Sequence, residues 1–283
     1  MSSIIDTLKS LVTVFILVSA CLVVTQRKYI YFPRQYDNFG KVLIQKTTTI
    51  EYQVNGKKQI AYFYGKSPTP KNVWIILSGN AALSLHWVSL IKQIPDKDTG
   101  YLLIDYPGYG QNAGTPSQKN NYKGALYAYQ SWLKTQPIEP NIFIMGHSLG
   151  SAVGIDLANK LHPKALILLS PFTSMHHMSK RVIGYFWALL LKPFLFDTYN
   201  SEAGLKKLQK NAPECRVLIL HGNEDKVVPV SMGRQLANNS NQWAQYIEID
   251  KADHELPFFA EKQLISIMQK TVQEESTGSQ KSK

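Results

Sequence analysis

Short apolar runs recur along the chain at residues 60–64, 73–77, 101–105, 141–145, 165–169, 217–220 and 246–249. Several are nearly unbroken in Val, Ile and Leu, the pattern of strands buried on both faces of a parallel sheet. Amphipathic stretches lie between them, at residues 121–133, 151–161, 231–238 and 261–272. Strands alternating with helices at this spacing predict βαβ units and a mostly parallel, doubly wound α/β sheet.

Two segments break this rhythm. The first is an apolar run over residues 11–24, interrupted only by Thr13 and Ser19, with Lys9 before it and Arg27 and Lys28 after it. Adding Ile4, Ile5 and Leu8 brings it near the roughly 20 residues that cross a bilayer, with Lys9 reaching back to the interface. An uncleaved anchor and the hydrophobic region of a signal peptide both fit. So does a lipoprotein signal, because Val18-Ser19-Ala20-Cys21 resembles a lipobox with Cys21 as the lipidated residue. A helix buried in the globular domain fits less well, since the run has no polar face. Positive charge on both sides leaves the side of the membrane open.

The second segment separates two predicted strands by about 40 residues, roughly 171–213. It carries the apolar, aromatic stretch 182–191 and then Pro193-Phe194-Leu195-Phe196, flanked by Lys180, Arg181 and Lys192. This reads as a helical insertion forming a lid or substrate pocket, with Phe186 and Trp187 selecting the acyl chain. A helix packed on the sheet edge is the alternative. The expected organisation is therefore an N-terminal membrane anchor or signal over 1–28, a domain over 29–272, and a disordered polar tail over 273–283.

A chain of 283 residues can bury a core without disulfide or metal staples. The two cysteines, Cys21 and Cys215, do not suggest a framework disulfide. Lys and Arg number 31 against 20 Asp and Glu, a net charge of +11. Residues 160–216 hold nine of the cations and three of the anions, so most of the excess sits in one stretch. There is no long basic run and no zinc-finger or RNA-binding signature. The excess therefore points to a membrane surface rather than to nucleic acid.

The candidate chemistry centres on Gly146-His147-Ser148-Leu149-Gly150, which follows one predicted strand and opens a helix. That is the context of a G-x-S-x-G nucleophile elbow, where flanking glycines leave room for a strained serine. A serine nucleophile needs a base and an orienting acid, in the chain order Ser, Asp or Glu, His. Asp225 follows the strand at 217–220, and His254 follows the strand at 246–249. All three thus fall at the carboxyl edge of the sheet, where α/β proteins bind ligands. Glu224 and Asp253 are the nearest alternatives for the acid. His147 is the variable elbow position, and His221 reads as a brace for the acid loop. His176 and His177 lack the carboxylate or cysteine partners of a metal site. The expected oxyanion donors are the backbone N–H of Leu149 and that of Asn80, in the loop Ser78-Gly79-Asn80-Ala81-Ala82.

With these motifs, the sequence resembles the Bem46-like α/β-hydrolases, the serine aminopeptidase-like and acyl-protein thioesterase-like branch of the fold. The resemblance runs from about residue 29 to 268. It rests on Tyr31-Phe32-Pro33, Gly79-Asn80-Ala81, Asp105-Tyr106-Pro107-Gly108-Tyr109-Gly110, Gly114-Thr115-Pro116-Ser117, the elbow, Ser170-Pro171-Phe172-Thr173-Ser174, His221-Gly222 with Asp225 and Val228-Pro229, and His254. Ser78, Ala82 and Pro107 depart from residues usual in the branch, which are His, Gly and Arg. The resemblance implies an α/β-hydrolase fold and hydrolysis through an acyl-enzyme, with no cofactor and no metal. A carboxylic ester or thioester on an acyl or lipid-like substrate at a membrane is the expected target. An amide or peptide hydrolase with the same triad, and a non-catalytic membrane-associated scaffold, remain as alternatives.

Overall fold

A two-residue turn begins the sheet. Asn55 and Gly56 both take positive φ, 51° and 73°, the left-handed pair that matches the natural twist of a hairpin. They join β1 (Thr48–Val54) to β2 (Lys57–Gly65), with Val54 opposite Lys57. β1 alternates inward Ile50, Tyr52 and Val54 with exposed Glu51 and Gln53. It is absent from the runs read off the sequence, because a strand buried on one face presents no continuous apolar run.

The computed structural model describes residues 2–278. Six more strands complete the sheet: β3 (Asn72–Leu77), β4 (Thr99–Ile104), β5 (Asn141–His147), β6 (Ala165–Leu169), β7 (Arg216–Gly222) and β8 (Ala244–Ile249). Their order is β1-β2-β4-β3-β5-β6-β7-β8. β2 runs antiparallel to β1 and β4, and every other neighbouring pair is parallel. This is the mostly parallel α/β-hydrolase sheet. Every residue of β3, β4 and β6 is buried, which is why these strands read as continuous apolar runs.

Helix Gln118–Leu133 packs on β1, β2 and β4, helix Leu149–Leu161 on β3, β5 and β6, and helix Val230–Asn238 on β7 and β8. The first starts three residues before the expected 121 because the Ser117 hydroxyl caps it, accepting the Asn120 N–H at 3.1 Å. Between β6 and β7 lie the short helices Met175–Val182 and Gly184–Leu190, a 3₁₀ turn at Lys192–Phe194, and helix Ser201–Asn211. The last packs on helix Leu149–Leu161 and belongs to the core.

The final helix spans Glu261–Gly278, so the first six positions of the expected tail are helical. Buried Val272 and ion pairs of Glu274 with Arg216 and Lys270 carry the helix past residue 273. Residues 279–283 lie outside the described residues.

The chain opens with helix Ser2–Ile30, long and apolar enough to cross a membrane by length and composition. Its first half projects exposed apolar side chains. From Phe15 onward it is docked on the segment after β6. Phe15 stacks on Trp187 at 5.2 Å between ring centroids. Gln26 donates to the Phe194 carbonyl (3.1 Å) and accepts the Phe196 N–H (2.9 Å). Arg27 donates to the buried Asp197 carboxylate at 2.8 Å.

Candidate active site

Strand β5 ends at His147, and helix Leu149–Leu161 begins two residues on. The reversal is made entirely at Ser148, whose backbone is held at φ 52° and ψ −113°. Such a conformation costs of order 1–3 kcal/mol in a non-glycine residue and persists only where the surroundings enforce it. They do so here. The Ser148 N–H donates to the Leu169 carbonyl at 2.9 Å. A Cβ at Gly146 would strike the carbonyl of Gly150, and one at Gly150 would strike that of Leu77. Both glycines are therefore required by close backbone approach.

The candidate acid and base come from the ends of β7 and β8. Asp225 Oδ1 accepts the N–H groups of Val227 (2.9 Å) and Val228 (2.8 Å). Its Oδ2 lies 2.8 Å from Nδ1 of His254 and 3.4 Å from Nε2 of His221. Burial alone would raise this carboxyl. The hydrogen bonds from His221, His254 and the Val228 N–H outweigh it and hold the group well below the usual carboxylate range. Asp225 is thus an anion that fixes His254 through Nδ1, leaving Nε2 for other work. The alternatives are turned away: Glu224 and Asp253 are exposed, and Asp253 accepts the Glu255 N–H at 2.9 Å. His221 braces the acid loop, its Nε2 lying 3.0 Å from the Val228 carbonyl.

His147 ties the elbow to the His254 loop. Its Nε2 is 2.9 Å from the His254 carbonyl oxygen, and the two rings lie 4.9 Å apart. Burial, with the neighbouring His254 as a smaller cause, pushes the His147 imidazole down to about 3. A depressed folded-state value means that protonation favours the unfolded chain. His147 therefore contributes stability that is complete above about pH 6.5 and is lost as the pH falls toward 3. Urea unfolding between pH 7 and 4 is expected to show a shallower loss of stability in His147→Gln than in the wild type. The difference should reach at most about 1.4 kcal/mol per pH unit. Parallel curves would show that another group dominates acid sensitivity.

The loop after β3 supplies Asn80. Its side chain is engaged on all sides: Oδ1 accepts the Tyr109 hydroxyl (2.6 Å) and the Phe32 N–H (3.0 Å), and Nδ2 donates to the Ile30 carbonyl (2.6 Å). The backbone N–H groups of Asn80 and Leu149 have no hydrogen-bond acceptor among the described residues. Both residues border the same cavity as Ser148. Ser78, one of the departures noted above, is a structural joint: its carbonyl accepts the Tyr106 hydroxyl (2.7 Å) and its Oγ accepts the Trp87 indole N–H (3.1 Å).

That cavity measures about 270 Å³ and is overwhelmingly apolar. Val182, Ile183, Leu191 and Leu195 wall it on one side, as the insertion reading anticipated. Phe186 and Trp187 do not border it. Phe186 is 63% exposed, and both rings face Phe15 of the N-terminal helix, so their expected role in chain selection is corrected. The wall that sequence reasoning missed is the N-terminal helix itself, through Leu22, Val23, Gln26, Tyr29 and Ile30. The signal was present: these positions recur at three- and four-residue intervals and share one helical face.

An α/β-hydrolase sheet with a strained serine between β5 and its helix defines the class of protein. The family described as "Serine aminopeptidase, S33" matches residues 68–200. An uncharacterized protein of Mycobacterium tuberculosis is 31% identical over 237 residues, covering 82% of this chain and 81% of its own. The lysophosphatidylserine lipase ABHD12 of Bos taurus is 32% identical over 201 residues, covering 65% of this chain and 48% of its own. The chain thus spans about half the length of that relative. Among solved structures, the Pyrococcus furiosus esterase Pf2001 superposes with a TM-score of 0.67 at 16% identity, covering 86% of this chain and 97% of its own. The thioesterase domain from the curacin biosynthetic pathway gives 0.57 at 15%, covering 78% and 98%. The chain belongs to the serine aminopeptidase-like α/β-hydrolases.

Proposed function

We propose that Ser148, His254 and Asp225 form the triad of an esterase or thioesterase acting on acyl or lipid-like substrates at a membrane. Nε2 of His254 takes the Ser148 hydroxyl proton as Oγ bonds to the carbonyl carbon. The N–H groups of Asn80 and Leu149 receive the oxyanion, with the positive end of helix Leu149–Leu161 behind them. Collapse breaks the bond to the alcohol or thiol, which leaves with the proton from His254. Water, deprotonated by the same imidazole, then releases the acid and restores the serine. Asp225 keeps His254 in the required tautomer throughout.

The observation that carries the substrate class is the cavity at Ser148. Its walls are apolar, and among the described residues lining it there is no carboxylate. An aminopeptidase must hold a free ammonium group, for which such a cavity offers nothing. An acyl chain suits it, and the adjoining helix Ser2–Ile30 fits a membrane location. Initial rates on p-nitrophenyl esters from acetyl to palmitoyl, beside aminoacyl p-nitroanilides, test this reading. Each methylene buried should add about 0.8 kcal/mol, roughly a fourfold gain in kcat/KM, until the cavity is full. A preference for the anilides, or for acetate over every longer chain, would overturn the substrate class.

A further inference from the structure

The cavity at Ser148 is completed by a helix whose other half carries an exposed apolar surface, and this has a consequence for how substrate arrives. Leu22, Val23, Gln26, Tyr29 and Ile30 line the cavity together with Val182, Ile183, Leu191 and Leu195. The two segments are not loosely apposed. Gln26 bonds to the backbone at Phe194 and Phe196, Arg27 pairs with buried Asp197, and Phe15 stacks on Trp187 one layer further out.

Beyond this seam the apolar surface continues on side chains that are more than half exposed. Val182, Tyr185, Phe186, Leu189, Phe194 and Phe196 are all exposed, on the segment to which the N-terminal helix is joined. Exposed aromatic and aliphatic side chains in such density mark a contact surface. Their continuity with a helix long enough to cross a bilayer identifies the occupant as lipid. Lys180, Arg181 and Lys192 lie in the same segment and carry the charge that suits anionic headgroups.

We propose that the N-terminal helix is a wall of the acyl cavity as well as an anchor, and that the acyl chain of a membrane-resident ester enters laterally from the leaflet, along the seam between this helix and residues 182–196. The inference rests on the triad reading above and adds the route and the wall. It gives the anchor a part in specificity: the helix face at 22, 23 and 26 sets the depth available to the chain. It also makes the segment after β6 a second membrane-contacting element.

The test uses the full chain in phosphatidylcholine vesicles. Leu22→Trp and Val23→Trp place an indole in the cavity wall. Val24→Trp, at a position 78% exposed and outside the cavity lining, is the control. The first two are expected to lose at least tenfold more kcat/KM on p-nitrophenyl palmitate in the bilayer than on p-nitrophenyl acetate, and to remain labelled by a fluorophosphonate. The control should match wild type on both esters. Unchanged palmitate turnover in Leu22→Trp and Val23→Trp, or equal losses on both esters, would overturn the wall. Failure of the wild type to label would instead overturn the triad. The lateral route has its own readout, which needs no cavity variant. Phosphatidylcholine brominated on its acyl chains should quench a component of tryptophan fluorescence in the wild type that is missing from Trp187→Phe. Identical quenching of the two proteins would place Trp187 outside the leaflet and overturn the route.

Discussion

Replacing Ser148 with alanine is expected to lower kcat on short p-nitrophenyl esters by at least about four orders of magnitude, with no loss of folded structure. The magnitude follows from the role: without the hydroxyl no acyl-enzyme forms, and only binding and the oxyanion donors remain. The fold should tolerate the change, because Ser148 is fixed by its backbone rather than by its side chain. Its N–H is held by Leu169, and its carbonyl accepts the N–H and the hydroxyl of Ser151, at 3.0 and 2.5 Å. Alanine keeps all of these. Stopped assays on purified protein, with circular dichroism as the control for folding, check both halves. Turnover near the wild-type level would mean that another residue is the nucleophile.

Asp225→Asn should rank second, with kcat reduced by about three to four orders of magnitude. The substitution is nearly isosteric, yet it removes the anion that the hydrogen bonds of His221 and His254 stabilise. An amide presents one oxygen rather than two. With Oδ1 satisfied by the N–H groups of Val227 and Val228, the amide nitrogen faces Nδ1 of His254 and favours the tautomer with the proton on Nε2. That tautomer cannot accept the serine proton. Activity should fall while binding of a non-reactive long-chain amide stays within a few fold. If kcat changes by less than tenfold, Asp225 is a structural carboxylate and His254 is oriented by something else.

The residues of the proposed site were legible as candidates in the sequence because their signals are local. The elbow is five consecutive residues whose glycines answer to backbone contacts, and Asp225 and His254 each follow a short apolar run that marks a strand end. Legibility failed where the determinants were distant or half-polar. β1 alternates, so its three inward residues form no run. The end of the last helix depends on Arg216, some 58 positions before Glu274, which no window near residue 273 contains. The N-terminal helix could be read as membrane-seeking from its composition. Its docking through Gln26 and Arg27 onto residues 194–197 spans about 170 positions of sequence. For the same reason Phe186 and Trp187 were expected in the pocket, whereas the helix they belong to turns them toward Phe15.

This docking also sets what truncation should do. The chain between the helix and β1 is part of the site: Tyr31 is buried with its hydroxyl 3.0 Å from that of Tyr199, and Ile30 and Phe32 hold the Asn80 side chain. A chain starting near Tyr36 would lose these contacts and one wall of the cavity, and with them the alignment of the loop that carries the Asn80 N–H.

The most direct measurement is the site of covalent modification. Full-length protein is incubated with a fluorophosphonate, digested, and mapped by mass spectrometry. A single adduct on Ser148 is expected, absent from Ser148→Ala and formed far more slowly in His254→Ala and Asp225→Asn. An unlabelled wild type, or an adduct on any other residue, would contradict the account.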